Sequence, residues 1–304
     1  MPKRNKSSSD EMRYLFPFYE IKQPRVRLIY NIWGFFVYSF AILISIPFFW
    51  MFITSMLPIN YIFSSLNEVI KNFKINFDYY KKAWEVVPFY IYFFNSFLVS
   101  ISVVIVQIII SAMAAYSLSK LKPSIYQLVL ILFLSTVLIP FETIAIPLYL
   151  TLREFSLPYI FSSNLINTYW ALILPPIANA VNIFIFKSFF DKLPNDFIES
   201  ARVDGCSEFR IFYKIILPIS KPIIIVLTII NFVNIWNSFF WPLIVTNDPQ
   251  IFTLMLGIYK IIEDGQPWNI VMAAVTISMI PNIILFIIFQ RQIMMGVVFT
   301  TLQE

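Results

Sequence analysis

Long apolar stretches separated by short polar segments set the reading of this 304-residue chain. Windows free of charged residues cover 28–67, 86–119, 123–141, 155–186, 222–247 and 265–290. Each reaches or exceeds the roughly 20 residues that a helix needs to cross the hydrocarbon core. None alternates apolar and polar positions over about ten residues, as the strands of a membrane barrel do. The pattern predicts an all-α membrane protein with six spans near 31–56, 94–118, 124–149, 165–189, 220–245 and 269–290. Residues 1–30 then form an N-terminal arm, 31–290 one transmembrane domain and 291–304 a C-terminal tail.

Composition agrees, since 59% hydrophobic and 13% charged residues lie far from a soluble globular chain. Charge adds orientation. Of the 22 basic residues, only Lys71, Lys74, Lys81, Lys82, Arg153 and Lys260 fall in one set of connections, and the other 16 fall in the opposite set or near the termini. The positive-inside rule places the richer set, and with it both termini, in the cytoplasm. That bias accounts for the net charge of +5, so nucleic-acid binding is not required. The first 27 residues lack the short apolar core and small-residue cleavage site of a signal peptide, which makes the first span an uncleaved anchor.

The inventory of reactive residues is poor. A single cysteine, Cys206, excludes an internal disulfide, and the absence of histidine removes His-based metal sites and Ser-His-Asp chemistry. There is no glycine-rich phosphate loop. The expectation is a protein that is not an enzyme, binds no cofactor or metal and cannot hydrolyse ATP itself.

The most informative segment is 193–222, LPNDFIESARVDGCSEFRIFYKIILPISKP, charged residues set between two apolar runs. Pro194 suits a first helical turn, and Asp196 and Glu199 favour the positive helix start. Gly205 fits a left-handed C-terminal cap, Ser207 a second N-cap, and Pro218 the end of the second helix. Phe197, Ile198, Ala201, Phe209, Phe212 and Ile216 supply apolar positions beside Arg202, Asp204, Glu208, Arg210 and Lys214. Two short helices around a glycine, presented from a membrane protein, make a docking knob.

This segment resembles the "EAA" loop of ATP-binding-cassette importer membrane subunits: Glu199, Ser200 and Ala201, then Gly205, then Ile216, Leu217 and Pro218. The second triplet position is Ser instead of Ala. The flanks are similar to the carbohydrate-uptake branch, in particular the shorter membrane subunit of maltose-type systems: NSFLVS and AAYSLSKL from Asn95 to Leu121, IPLYLTLREFSL from Ile146, TYWALILPP from Thr168 and WNSFFWPLIV from Trp236. The likeness spans about residues 88–291, whereas 294–304 lacks the second glycine and basic residue that such subunits often carry. The resemblance implies a type I importer permease whose coupling helix, Glu199, Ser200, Ala201, Arg202, Asp204 and Gly205, enters a cleft on a soluble ATPase. It implies a second, homologous permease subunit, two ATPase subunits that use ATP, an extracellular sugar-binding protein and a carbohydrate solute, in a bacterial or archaeal cytoplasmic membrane. A glycerol-phosphate-like solute is the alternative within the family.

Polar residues inside the spans are few. In the fifth, Asn231, Asn234 and Ser238 fall at i, i+3 and i+7 beside Asn237 and Thr228. Such groups need partners or water, which makes the stripe either interhelical packing or a wall of the translocation path. Trp236 and Trp241 are candidates for interface anchors or sugar-stacking platforms. Glu142, bracketed by Pro140 and Pro147, reads as a structural acid near a span end, and Asn179 and Asn182 receive the same reading. The 58–88 connection has room for a short helix, and 246–268 carries turns at Asn247-Asp248-Pro249 and Asp264-Gly265. By resemblance the latter is a binding-protein contact loop, with Asn247, Asp248, Gly265 and Gln266 as candidates; otherwise it is a plain connector. An ion-coupled secondary transporter is the rival, but it expects ionisable residues near the midplane and inverted repeats, which the sequence lacks.

Overall fold

A computed structural model describes residues 24–62, 64–155 and 164–301, and no strand occurs among the described residues. Helix α1 (Pro24–Thr54) starts inside the segment read from sequence as an arm; residues 1–23 of that arm lie outside the described ones. The 58–88 connection holds α2 (Ile59–Ile62), α3 (Leu66–Asn72) and α4 (Asp78–Val86) in place of a single short helix. Next comes α5 (Phe89–Tyr116), extended by a π-helical turn over Ser117–Leu121.

Beyond α5 the spans are bent. α6 (Tyr126–Val137) and α7 (Phe141–Arg153) meet at 103°, so the expected 124–149 span is not one helix. Pro140 sits at the break, where it cannot continue the preceding hydrogen-bond ladder. α8 (Tyr169–Ile173), a 3₁₀ turn at Pro175–Ile177 and α9 (Ala180–Asp191) make a second broken span bent by 41°. Asn179 caps the restart, its side-chain oxygen accepting from the Asn182 amide at 3.0 Å.

The polar segment then forms α10 (Asp196–Val203), α11 (Glu208–Ile211), a π turn at Phe212–Ile216 and α12 (Leu217–Ile219). α13 (Lys221–Trp236) leaves it at 77°. At about 1.5 Å per residue α13 falls short of the roughly 30 Å hydrocarbon core. The chain breaks after Trp236 and resumes as α14 (Phe240–Val245), which corrects the expected continuous 220–245 span. Irregular backbone at membrane depth has to be enclosed by protein or line a wet cavity. Here two buried tryptophans flank it: the indole N–H of Trp236 donates to Ser278 O at 3.0 Å and that of Trp241 to Ala171 O at 2.8 Å. Both are core residues in this conformation, neither headgroup anchors nor exposed sugar platforms.

A 3₁₀ turn at Pro249–Ile251 and α15 (Leu254–Glu263) occupy the last connection, and α16 (Trp268–Thr301) continues past 290, where the sequence pattern ends the span. α5 is the central helix, packed most extensively against α9 and α13. Its buried face carries Asn95, Ser96, Ser100, Gln107 and Ser111 among Val and Ala. Gln107 donates to Pro176 O at 2.7 Å, satisfying a carbonyl that the α8–α9 break frees. α1 is the opposite case: its apolar window has no buried residue, and its principal contact is with α16.

Candidate functional site

The hairpin is built from its glycine outward. Gly205 has φ +76°, the left-handed region that a glycine enters without steric penalty. Its amide donates to Arg202 O at 3.0 Å, and the Cys206 amide to Ala201 O at 2.9 Å. This is the Schellman pair that closes an α-helix. Asp196 and Glu199 lie in the first turn of α10 and Arg202 in the last, each complementing the helix dipole.

Three sequence expectations shift at the hairpin. Pro194 precedes the N-cap position, held by Asn195, so it lies outside the first turn. Ser207 occupies the N-cap of α11 with extended backbone but makes no side-chain cap bond. Pro218 lies within α12, and the chain turns only at Ser220, whose hydroxyl donates to Ile216 O at 2.6 Å. The wide π turn at Phe212–Ile216 carries the helix through to that point.

The two faces of the hairpin differ. Ile198, Ala201, Ile211, Phe212 and Ile216 are buried, whereas Phe197, Val203, Phe209 and Tyr213 are exposed, between 58% and 88%. Glu199, Ser200, Arg202, Asp204 and Gly205 share the exposed side. Ala201 thus provides the close approach to the bundle, and Ser200 does not.

Side chains tie this knob to the end of α5. The Glu208 carboxylate accepts from Tyr116 Oη at 2.7 Å and from Arg202 Nε at 2.6 Å. The Arg202 hydrogen bond holds the Glu208 carboxyl below its ordinary value, against the opposing effect of burial, and Glu208 in turn raises Arg202. Ser119 Oγ and Lys187 Nζ each donate to Asp191 at 2.6 Å. Lys120 Nζ donates to Leu193 O and to Asn195 Oδ1, both at 2.8 Å, so the Asn195 side chain serves Lys120 and leaves the cap unmade. A polar cavity of about 380 Å³ opens between these groups and Lys122, Tyr126, Glu199 and Arg202. The sequence places Tyr116, Ser119 and Lys120 only within the AAYSLSKL stretch and Glu208 only among the charged hairpin positions, with no pairing between them. The available signal is a cluster of hydrogen-bonding side chains where an apolar helix ends.

The fifth-span stripe is not one surface. Asn231 is buried with its amide nitrogen unpartnered among the described residues, and Asn234 is exposed. Asn237 ends α13, and its side-chain oxygen accepts from Asn282 at 3.4 Å. Ser238 lies in the break before α14. Helical spacing therefore relates Asn231 to Asn234 but not to Ser238. Glu142 is exposed in the first turn of α7, where the helix start favours a carboxylate.

At the opposite end of α5 the contact-loop candidates separate. Asn247 and Asp248 donate their amides to Asn167 Oδ1, both at 2.9 Å, before α15, whereas Gly265 and Gln266 follow it. Gly265, at φ +68°, repeats the Schellman pair: Gly265 N to Ile262 O at 3.0 Å and Gln266 N to Ile261 O at 3.2 Å. The buried Asn95 gathers the preceding strand of chain, donating to Gln250 O at 2.8 Å and Phe252 O at 3.0 Å while accepting from Tyr169 Oη at 2.6 Å. Ser96 Oγ accepts from the Leu254 amide at 2.7 Å.

The model of the family described as binding-protein-dependent transport system inner membrane component matches residues 107–295, which include the whole hairpin. The chain belongs to this family. It is therefore a membrane component of a transport system and not an enzyme. The arabinooligosaccharides transport system permease protein of Halalkalibacterium halodurans is 33% identical over 209 residues, 68% of this chain and 72% of that one. The sn-glycerol-3-phosphate transport system permease protein of Yersinia enterocolitica is 32% identical over 214 residues, 69% of this chain and 73% of that one. A solved bacterial ABC transporter involved in the import of the acidic polysaccharide alginate has a chain of the same fold, with TM-score 0.76 and 21% identity over 91% of this chain and 99% of that one. The type I importer permease fold expected from sequence is the fold observed.

Proposed function

We propose that this chain is a permease subunit of an ATP-driven, binding-protein-dependent importer of carbohydrate, working by alternating access. Within the family, the observation that carries the reading is the hairpin: a short helix closed by Gly205, with Phe197, Val203, Phe209 and Tyr213 unpaired on its outer side and polar ties on its inner side. Exposed aromatic residues rimmed by charge are the composition of a docking surface. The surface suits a cytoplasmic ATPase, whose closure a short rigid helix transmits as a body. Both termini then face the cytoplasm, and a second, homologous permease subunit, two ATPases and an extracellular binding protein complete the system.

Asn231, Asn234, Asn237 and Ser238 are the proposed path residues, and Asn247, Asp248, Gly265 and Gln266 the proposed binding-protein contacts. All four path residues are uncharged, which suits a neutral, hydroxyl-rich solute better than a phosphate ester. The name of the arabinooligosaccharide relative supports the same choice, and that of the glycerol-phosphate relative supports the alternative.

The test is site-specific crosslinking. Ser200→Cys in a Cys206→Ser background, placed in membranes with the co-expressed ATPase, is expected to give a crosslink to that subunit which nucleotide changes. Absence of any such crosslink in an assembled complex contradicts the docking assignment.

A further inference from the structure

Two features that fold and family leave unassigned lie at opposite ends of one helix. At the C-terminal end of α5, Tyr116, Ser119 and Lys120 hold three successive points of the segment that carries the hairpin: Glu208, Asp191 and Leu193 with Asn195. Tyr116 and Ser119 are almost completely buried, and the Tyr116 ring also packs on Phe212 at 5.4 Å. At the N-terminal end, Asn95 and Ser96 hold Gln250, Phe252 and Leu254, the chain leading into α15. Tyr92 packs on Phe252 at 5.9 Å and lies against Gly257 so closely that no Cβ fits. The bonds between Ser96 and Leu254 and between Asn95 and Phe252 are buried, and those of Tyr116 and Ser119 are part-buried, so leaving one member unpaired is costly, whereas the Lys120–Asn195 bond is exposed.

From Asn95 to Tyr116 the helix rises about 32 Å, close to the full hydrocarbon thickness. Helical hydrogen bonding is continuous through that interval, and neither proline nor a break interrupts it. Three of the other passages, α6–α7, α8–α9 and α12–α13, bend sharply, and the unbroken α16 that follows α15 carries Pro281 within it. A displacement of the hairpin therefore reaches the 249–257 segment with least loss through α5.

We infer that α5 is the connecting rod of this subunit, with Tyr116, Ser119 and Lys120 as positioning residues at the hairpin end and Asn95 and Ser96 at the end that bears α15. None of them touches solute or nucleotide in this role. They fix the coupling helix and the proposed binding-protein loop to one rigid body, so that occupancy at one end is felt at the other. The inference rests on the proposed coupling function and names the residues through which it acts.

A double-mutant cycle in the complete reconstituted transporter tests it. Tyr116→Phe removes one hydroxyl and keeps the ring on Phe212; Ser96→Ala removes the acceptor of the Leu254 amide. The quantity measured is the ratio of binding-protein-stimulated to basal ATPase activity, with thermal stability and the Ser200→Cys crosslink followed in parallel. Each single variant is expected to keep basal activity and the crosslink and to lose at least about fivefold in stimulation, the low end of allosteric coupling. The double variant is expected to lose no more than the worse single one. Sites this far apart ordinarily act additively, so non-additivity is the signature of a shared rod. Ser119→Ala gives a second hairpin-end variant should Tyr116→Phe fail to assemble. Additive losses, or full stimulation in all variants with the crosslink intact, overturn the rod and leave the docking assignment standing. Loss of the wild-type crosslink overturns the docking assignment and the rod with it.

Discussion

Two glycines in this chain are required for opposite reasons. At Gly205 the backbone is left-handed and the space around an added Cβ is empty, so the demand is conformational. At Gly257, inside α15, a Cβ would stand 2.1 Å from Cδ2 of Tyr92, so the demand is steric. Gly257→Ala is expected to destabilise the protein by about 1–3 kcal/mol, the usual cost of overpacking. Thermal unfolding in detergent checks this, and adding Tyr92→Val should recover part of the loss. The sequence makes Gly205 legible through its charged flanks and its place after an amphipathic turn. Gly257 sits in an apolar run with no local sign that another helix passes within contact. The stripe residues divide in a similar way. If Asn231 were packing glue, Asn231→Leu would cost about 0.6–2 kcal/mol of helix association. Its amide nitrogen has no partner among the described residues, so the substitution is expected to leave stability unchanged or raised while uptake falls. Normal uptake with weakened assembly contradicts a path role.

At the scale of elements, hydropathy finds how much chain can sit in the membrane but not where it bends. The windows at 123–141 and 155–186 read as continuous, yet both are broken, because a proline-induced gap is tolerable wherever a neighbouring helix satisfies the freed backbone. Gln107 supplies that partner to Pro176 O, and Asn179 supplies the cap on the other side of the gap. Gln107→Leu is therefore expected to cost about 1–3 kcal/mol, the penalty of a buried carbonyl left unpaired, measured by thermal or denaturant unfolding of the purified protein. An unchanged unfolding midpoint would show that the break is satisfied in another way. In the hairpin, the Gly205 turn and the two short helices are legible because they act locally, whereas the roles of Pro194, Ser207 and Pro218 shift with their surroundings. The hairpin's ties are not legible, since Tyr116 and Glu208 are 92 positions apart and meet only through the fold.

For the whole molecule, charge asymmetry and hydrophobic length together specify six passages and a hairpin on the basic side. Single cysteines at Ser7 and Ser207 in a Cys206→Ser background are expected to resist a membrane-impermeant thiol reagent in intact cells, and one at Ser65 to react. Labelling at Ser207 from outside places the hairpin beyond reach of any cytoplasmic ATPase. Much of the remaining surface is apolar: α1 exposes Phe35, Phe36 and Tyr38, among others, and α16 exposes Phe286 and Ile287, as lipid-facing or subunit-facing helices do. The hairpin is proposed to convert ATPase movement into movement of the bundle, and Gly205→Val tests that role. A β-branched residue at φ +76° strains the Schellman cap and redirects the helix it closes, without meeting any neighbouring atom. The measurement is binding-protein-stimulated ATPase activity and solute uptake of the reconstituted complex, side by side with Glu199→Ala. Loss of both in Gly205→Val, with all spans inserted and a milder defect in Glu199→Ala, is the predicted result; normal stimulation and normal uptake in Gly205→Val would contradict it.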